Sequence, residues 1–392
     1  MWLCVVACEE GWFFMQEMDR SANAEWKGEE PRSRDFRSFG GRVVSERAAI
    51  FFLGIIAIIV VGAFLKSAQG VFLPFVIALL ISYILAPPVR FLHKFGVPTS
   101  LIVVIMLGIL SGILFLGIIY LNTSLVAFST EIPDLQRRFV IMGKEISESV
   151  KIVQFLWKNL ADNFDVGSKI TLQIVTLSRS LFSIVSKMLL VVVFLVFLLV
   201  EAPYFEAKLR KALARKNAEK VQHITETITI QIGYYLGLQC IISAVTGFLA
   251  WAILEYIGVK FALTWGVLTF LLNFIPTLGS VAASIPPILI AAIQFYPSYS
   301  QVLATALSLL ILQQIMGNVL APRILGDRLN LSPALILFSL LFWGWLWGIP
   351  GALLSVPITS AIKIVFENVR LVQGFAVLMG SGRQYAKEDE GK

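Results

Sequence analysis

The chain has 392 residues, of which 57% are hydrophobic and only 15% charged. A soluble domain runs at roughly 45–50% apolar and about 25% charged, so this composition excludes an ordinary water-solvated enzyme. Lys and Arg outnumber Asp and Glu by 32 to 25, a formal charge of +7; with no compact basic module left over, that surplus belongs to loops facing anionic lipid and not to nucleic acid.

Residues 1–47 read as a polar cytoplasmic leader. The first eight are apolar but lack a preceding positive region, which makes a poor signal peptide. Arg32, Arg34, Arg37, Arg42 and Arg47 then mark a solvated, mixed-charge stretch. Cys4, Cys8 and Cys240 are scattered with no CxxC, giving neither a disulfide framework nor a zinc site.

Residues 48–121 hold the N-terminal transmembrane helices, as apolar runs at 49–65, 71–86 and 100–121. The second contains Pro74 and is expected to stop at Pro87-Pro88, where a helix loses two donors. Residues 122–186 differ. Leu125, Phe128, Ile132, Leu135, Phe139, Met142, Ile146, Ser149, Val153, Leu156 and Leu160 follow alternating steps of three and four, the seam of a heptad pattern. Pro133 suits the first turn of a helix beginning near Ile132. Residues 162–167 form a turn, and a second amphipathic helix follows. The segment reads as an extramembrane helical hairpin, packed either on its own membrane domain or between subunits.

Residues 187–370 form the C-terminal transmembrane transport region, followed by a cytoplasmic tail at 371–392. Its apolar runs are 188–200, 232–256, 261–272, 280–295, 301–317, 333–347 and 351–366, and a basic stretch at 205–230 reads as an amphipathic surface helix. Several runs are too short to span, so about eight full spans are expected, some segments being broken or re-entrant. The fold class is all-α and polytopic. Basic residues cluster in alternate short loops, which places both termini in the cytoplasm.

No HExxH, P-loop or Ser/His/Asp set occurs, which points away from an enzyme. Irregular backbone at membrane depth is tolerated where it is buried in protein or lines a cavity. Four candidate breaks fit that description: Pro74, the stretch Asn273 to Gly279 with Pro276, Pro286-Pro287, and the hinge Gly348, Pro350 and Gly351. Gln314 and Asn318 share a helix face at spacing four; they either line a path or bond to a neighbouring helix. Carboxylates are confined to span ends, so any coupling ion, H+ or Na+, would act through marginal groups such as Glu201 or Asp327. No cofactor is expected.

Three stretches carry a resemblance: Leu272-Asn273-Phe274-Ile275-Pro276-Thr277-Leu278-Gly279; Pro322-Arg323-Ile324-Leu325-Gly326-Asp327-Arg328-Leu329-Asn330-Leu331-Ser332-Pro333; and Phe342-Trp343-Gly344-Trp345-Leu346-Trp347-Gly348-Ile349-Pro350-Gly351. Over about residues 45–370 the chain resembles the autoinducer-2 exporter family of bacterial inner-membrane permeases. The resemblance implies a secondary transporter of a small molecule or ion, assembled as a homo-oligomer with pentamers described. It further implies an acidic residue at Glu201 after the fourth span. Members are linked to efflux of autoinducer-2, a quorum-sensing signal, and others to Na+(Li+)/H+ antiport. With the residues themselves, it suggests a substrate site between two hairpin-like elements and a cytoplasmic gate in which Asp327 pairs with Arg323 or Arg328. A membrane scaffold or oligomeric pore acting through the helical hairpin is the competing class.

Overall fold

The computed structural model describes residues 52–54, 56–57, 59–149, 166–213, 215–276, 278–325, 329–370 and 372–382. Among them every regular element is helical. In chain order the helices are α1 (Phe52–Ser67), α2 (Gln69–His93), α3 (Thr99–Ser149), α4 (Val166–Ala212), α5 (Arg215–Ile257), α6 (Ala262–Leu272), α7 (Leu278–Gln294) and α8 (Tyr299–Gln313). A π-helical segment (Gln314–Leu320), α9 (Ala321–Leu325), α10 (Pro333–Asn368) and α11 (Gln373–Met379) complete the chain. The described residues divide into two units, one ending at Ala63 and one beginning at Phe64. The leader at 1–47, the seam beyond Ser149, the start of the 162–167 turn, and Asp327 and Arg328 lie outside the described residues.

The protein is an all-α, multi-pass membrane protein. Among the described residues, α2, α3, α5 and the run Tyr299–Ile324 are each long and apolar enough to cross a bilayer; α10 has the length and composition but is kinked at Gly348. Large apolar side chains such as Ile113, Phe248, Leu307 and Leu341 are exposed along these helices. In water such a surface would aggregate; in a bilayer it meets acyl chains.

Inside, the apolar residues form separate cores. Ala78, Val103, Leu107, Leu195 and Leu199 tie α2, α3 and α4 together. Leu254, Val259, Ala262, Ile290, Leu309 and Leu312 tie α5, α6, α7 and α8. Leu80, Ile232, Leu236 and Ile364 join α2, α5 and α10.

Several helix ends differ from expectation. Helix α2 does not stop at Pro87-Pro88 but continues to His93. Proline fixes a helical φ, and only its missing donor is costly. Pro87 frees the Tyr83 carbonyl, and α5 brings Gly233 against it so closely that a Cβ there would lie 2.6 Å from that oxygen. Pro286-Pro287 and Pro74 likewise sit inside unbroken helices. Pro133 does not open a new helix either, because α3 runs through it for 51 residues. At 1.5 Å per residue that is about 76 Å, far beyond a hydrocarbon core of about 30 Å. The described parts of the segment 122–186 are thus continuous with α3 and α4 and form no separate helices. The basic stretch 205–230, expected as one helix, is divided between the end of α4 at Ala212 and the start of α5 at Arg215.

The described part of the heptad seam faces its own protein. Ile132 and Leu135 are buried, and Leu135 joins the core of α5–α8 with Phe128 packed beside it. Phe128 also meets the edges of Phe261 and Trp265, at centroid distances of 5.3 and 6.3 Å.

Candidate functional site

Two of the four expected breaks interrupt the helices, and each turns its chain into a hairpin. The first lies between α6 and α7. Their 11 and 17 residues make about 16 and 25 Å of helix, neither enough to cross. Both outer ends return to one place, where Gln294 binds them. Its Nε2 donates to the Gly258 carbonyl at 2.7 Å, and its Oε1 accepts from the Lys260 backbone N–H at 2.8 Å.

The tip of this hairpin rests on a polar face of α5. Gln239, Ser243 and Thr246 are buried and follow a four–three spacing, so they lie on one side of the helix. Gln239 Nε2 donates to the Asn273 carbonyl at 2.7 Å, and Asn273 Nδ2 donates to Ser243 Oγ at 3.0 Å. The Pro276 carbonyl accepts from the Leu278 N–H at 2.6 Å and closes the turn. Gly279 is packed against the end of α6, where a Cβ would fall 1.8 Å from the Leu272 carbonyl oxygen. Gly247 and Gly266 let α5 and α6 cross at backbone contact.

The second hairpin is α10. Gly348 has φ 68° and ψ −146°, a conformation open almost only to glycine. The chain reverses there. Trp343 Nε1 donates to Thr359 Oγ1 at 3.1 Å, although 16 helical residues would separate them by about 24 Å. The legs, 333–347 and 349–368, therefore lie antiparallel, with Trp343, Leu346 and Trp347 packed against Ile358 and Ile362. At the tip Trp347 Nε1 donates to the Leu65 carbonyl at 3.3 Å, and Lys66 Nζ sits 4.2 Å over the Trp345 ring. The described start of the tail packs at the base of this hairpin: Ser332 N–H donates to the Met379 carbonyl and Ser381 N–H to Asn330 Oδ1, both at 3.0 Å.

The run Tyr299–Ile324 leads from the mouth of the first hairpin toward that of the second, and it is long enough to span. The two hairpins thus open at opposite ends of one helical run.

The residues singled out in the sequence fall into separate places. Asn273, Pro276 and Gly279 build the first tip; Gly348, Pro350 and Gly351 build the second. The described contacts tie the first tip to α5 and the second to the α1–α2 junction. Gln314 and Asn318 lie exposed on the π-helical segment, where Asn318 Nδ2 donates to Gln314 Oε1. Their neighbour Gln313 keeps a buried Oε1 without a hydrogen-bond partner. Glu201 lies exposed on α4, paired with Lys208. Arg323 is exposed on α9. Sequence reasoning missed Gln239, Ser243 and the glycine crossing, although their spacing on α5 was readable. It also missed Lys363, which lies within the apolar run 351–366 and is buried with its Nζ 2.7 Å from Glu367 Oε1.

At the mouth of the first hairpin the Tyr296 hydroxyl donates to Glu145 Oε2 at 2.5 Å. That bond, reinforced by the carboxylate's charge, pushes the phenol up to about 12. A phenol held protonated in the fold supports it fully below the ordinary value near 10, and that support fades as pH rises from there to about 12. Absorbance titration of the intact protein against Tyr296→Phe is expected to lose a phenol titrating near 12. Loss of one near 10 would contradict the bond.

Hairpins with broken backbone at their tips, set in a bundle of apolar helices, are an arrangement that membrane transport proteins use. Residues 50–371 match the family described as AI-2E family transporter. The chain is 33% identical over 332 residues to the "AI-2 transport protein TqsA" of Escherichia coli (strain K12), covering 84% of this chain and 94% of that protein. It is equally 33% identical to a "Putative transport protein" of Borreliella burgdorferi, covering 85% of this chain and 90% of the relative. The chain belongs to the AI-2E transporter family.

Proposed function

We propose that this protein is a secondary exporter that carries a small polar solute, autoinducer-2 or a molecule like it, across the bacterial inner membrane by alternating access. Both termini lie in the cytoplasm, and the working unit is a homo-oligomer, with a pentamer implied by family resemblance. The observation that carries this reading is the pair of hairpins opening at opposite ends of one helical run. The first sets its break against the polar face of α5, the second carries an exposed break at Gly348 and Pro350, and movement of the α5–α10 region against α2–α4 exposes the site to alternate sides.

The chemistry at the first tip favours an uncharged, hydroxyl-bearing solute. Gln239, Ser243 and Asn273 offer amide and hydroxyl groups and no ionised side chain. A solute that hydrogen-bonds with these groups replaces the bonds they make to one another, so its desolvation is offset on entry.

Purified protein in proteoliposomes tests the reading. Autoinducer-2 flux is expected to saturate with concentration, which separates a transporter from a pore. Asn273→Ala is expected to reduce flux about tenfold, equivalent to about 1.4 kcal/mol, with little change in melting temperature because the residue is half-buried. Pro276→Ala is expected to impair flux more than folding. Unchanged flux in both variants would remove the site from this hairpin. Sodium-dependent proton movement in the same vesicles, without autoinducer-2 flux, would favour antiport.

A further inference from the structure

The extension of α3 beyond the membrane grips the mouth of the first hairpin. Glu131 Oε2 takes Lys260 Nζ at 2.5 Å. Arg138 Nη1 donates to the Gln294 carbonyl at 3.2 Å, and its Nε pairs with Asp134 on its own helix. Glu145 accepts from Tyr296 at 2.5 Å. These contacts reach both legs, since Lys260 precedes α6 while Gln294 and Tyr296 end and follow α7. Because Gln294 already binds Lys260 and Gly258, a pull on either leg moves the mouth as one piece.

The place of these bonds matters. The membrane part of α3 belongs to the core of α2–α4, and the hairpin belongs to the core of α5–α8. Of the buried side chains of α3, Leu135 is the one that enters the latter core. The polar bonds therefore cross the boundary between two differently packed bodies. Lys260 and Glu131 are 41% and 36% exposed, and water can replace their bond at small cost. Arg138, Ile141, Glu145, Ile293, Tyr296 and Pro297 surround an open cavity of about 240 Å³, through which solvent reaches the contact. Leu135 and Phe128 supply apolar packing on the membrane side of this junction; its outer edge, at Glu131, Arg138 and Glu145, is held by exposed polar bonds that are individually weak.

We propose that Glu131–Lys260 and Glu145–Tyr296 form a latch that holds the first hairpin against α3 and opens once in each transport cycle. The proposal rests on the alternating-access reading above. It makes the outer part of α3 a positioning element for the hairpin, with no contact to the solute required.

The test uses the full chain with Cys4, Cys8 and Cys240 changed to serine. Glu145→Cys with Tyr296→Cys is bridged by a short bis-maleimide, and the control carries a monofunctional maleimide. Autoinducer-2 flux is expected to fall at least tenfold on bridging relative to the control. Equal flux in both would overturn the latch. A second measurement needs no solute. Spin labels at Ile141→Cys and Leu303→Cys, in otherwise cysteine-free protein, are expected to give two distance populations in vesicles. Glu131→Gln is expected to shift their ratio about two- to fivefold toward the longer one, the range of an exposed ion pair. A single population, unchanged by Glu131→Gln, would overturn the latch even if no flux were seen. Two populations without flux would leave the latch standing and count against the transport reading.

Discussion

Gly351→Ala is expected to abolish transport and to destabilise the second hairpin by about 3 kcal/mol, the upper end for forced overpacking. A Cβ at this position falls 2.0 Å from the Trp343 carbonyl oxygen and 2.8 Å from its carbon. The obstacle is backbone, so no side chain can swing aside. Either the tip opens or the legs part, and parting them breaks the bond from Trp343 to Thr359. Gly279→Ala should behave alike at the first hairpin, where the obstructing oxygen is that of Leu272 at 1.8 Å. Gly348→Ala meets open space but must adopt a positive φ, a smaller cost of about 1–3 kcal/mol. Gly237→Ala, inside α5 with nothing within 4 Å of its Cβ, should gain up to about 1 kcal/mol of helix propensity. Thermal unfolding in detergent should rank the variants in that order. Wild-type melting of Gly351→Ala would show that the legs do not approach as described.

The second large effect is an asymmetry. Lys363 and Glu367 are bonded to each other, yet their side chains are 4% and 44% exposed. Removing Glu367 leaves a buried ammonium without its counter-charge. Removing Lys363 leaves a carboxylate that water already reaches. Breaking a fully buried pair costs about 3–5 kcal/mol; with one partner half exposed, Glu367→Ala is expected to cost about 2 kcal/mol. Lys363→Met keeps the length and apolar stem of the side chain and should be close to neutral. The double variant should recover most of the loss, because no charge is then stranded. Equal destabilisation by the two single changes would mean that the ammonium is not desolvated.

Much of the architecture was legible because composition and period act locally. Apolar runs located α2, α3, α5 and α8, and the steps of three and four marked the face of α3 that turns inward at Ile132 and Leu135. The breaks at Asn273 and Gly348 were legible too. Proline alone proved a poor marker: Pro74, Pro87, Pro88, Pro133, Pro286 and Pro287 all lie within helices. The two real interruptions pair proline with a glycine pressed against a carbonyl, Gly279 or Gly351. What stayed hidden depends on partners distant in sequence. Gly233 looks ordinary until Tyr83 meets it. Lys363 looks like a lone charge in an apolar run until α10 folds back and the core of α2, α5 and α10 closes around Ile364. Glu131 and Lys260 are separated by two spans, and their pairing follows from the length of α3.

That length has a mechanical consequence. Helix α3 runs without interruption from Thr99 to Ser149, so its membrane part and its projecting part are one rigid rod. From the end of the apolar stretch near Leu121 to Ser149 the rod extends about 42 Å. A tilt of about 5° inside the bilayer then sweeps its far end through about 4 Å over that length. Shifts too small to see among packed side chains are thereby magnified into displacements at the outer tip, where any neighbouring subunit would register them.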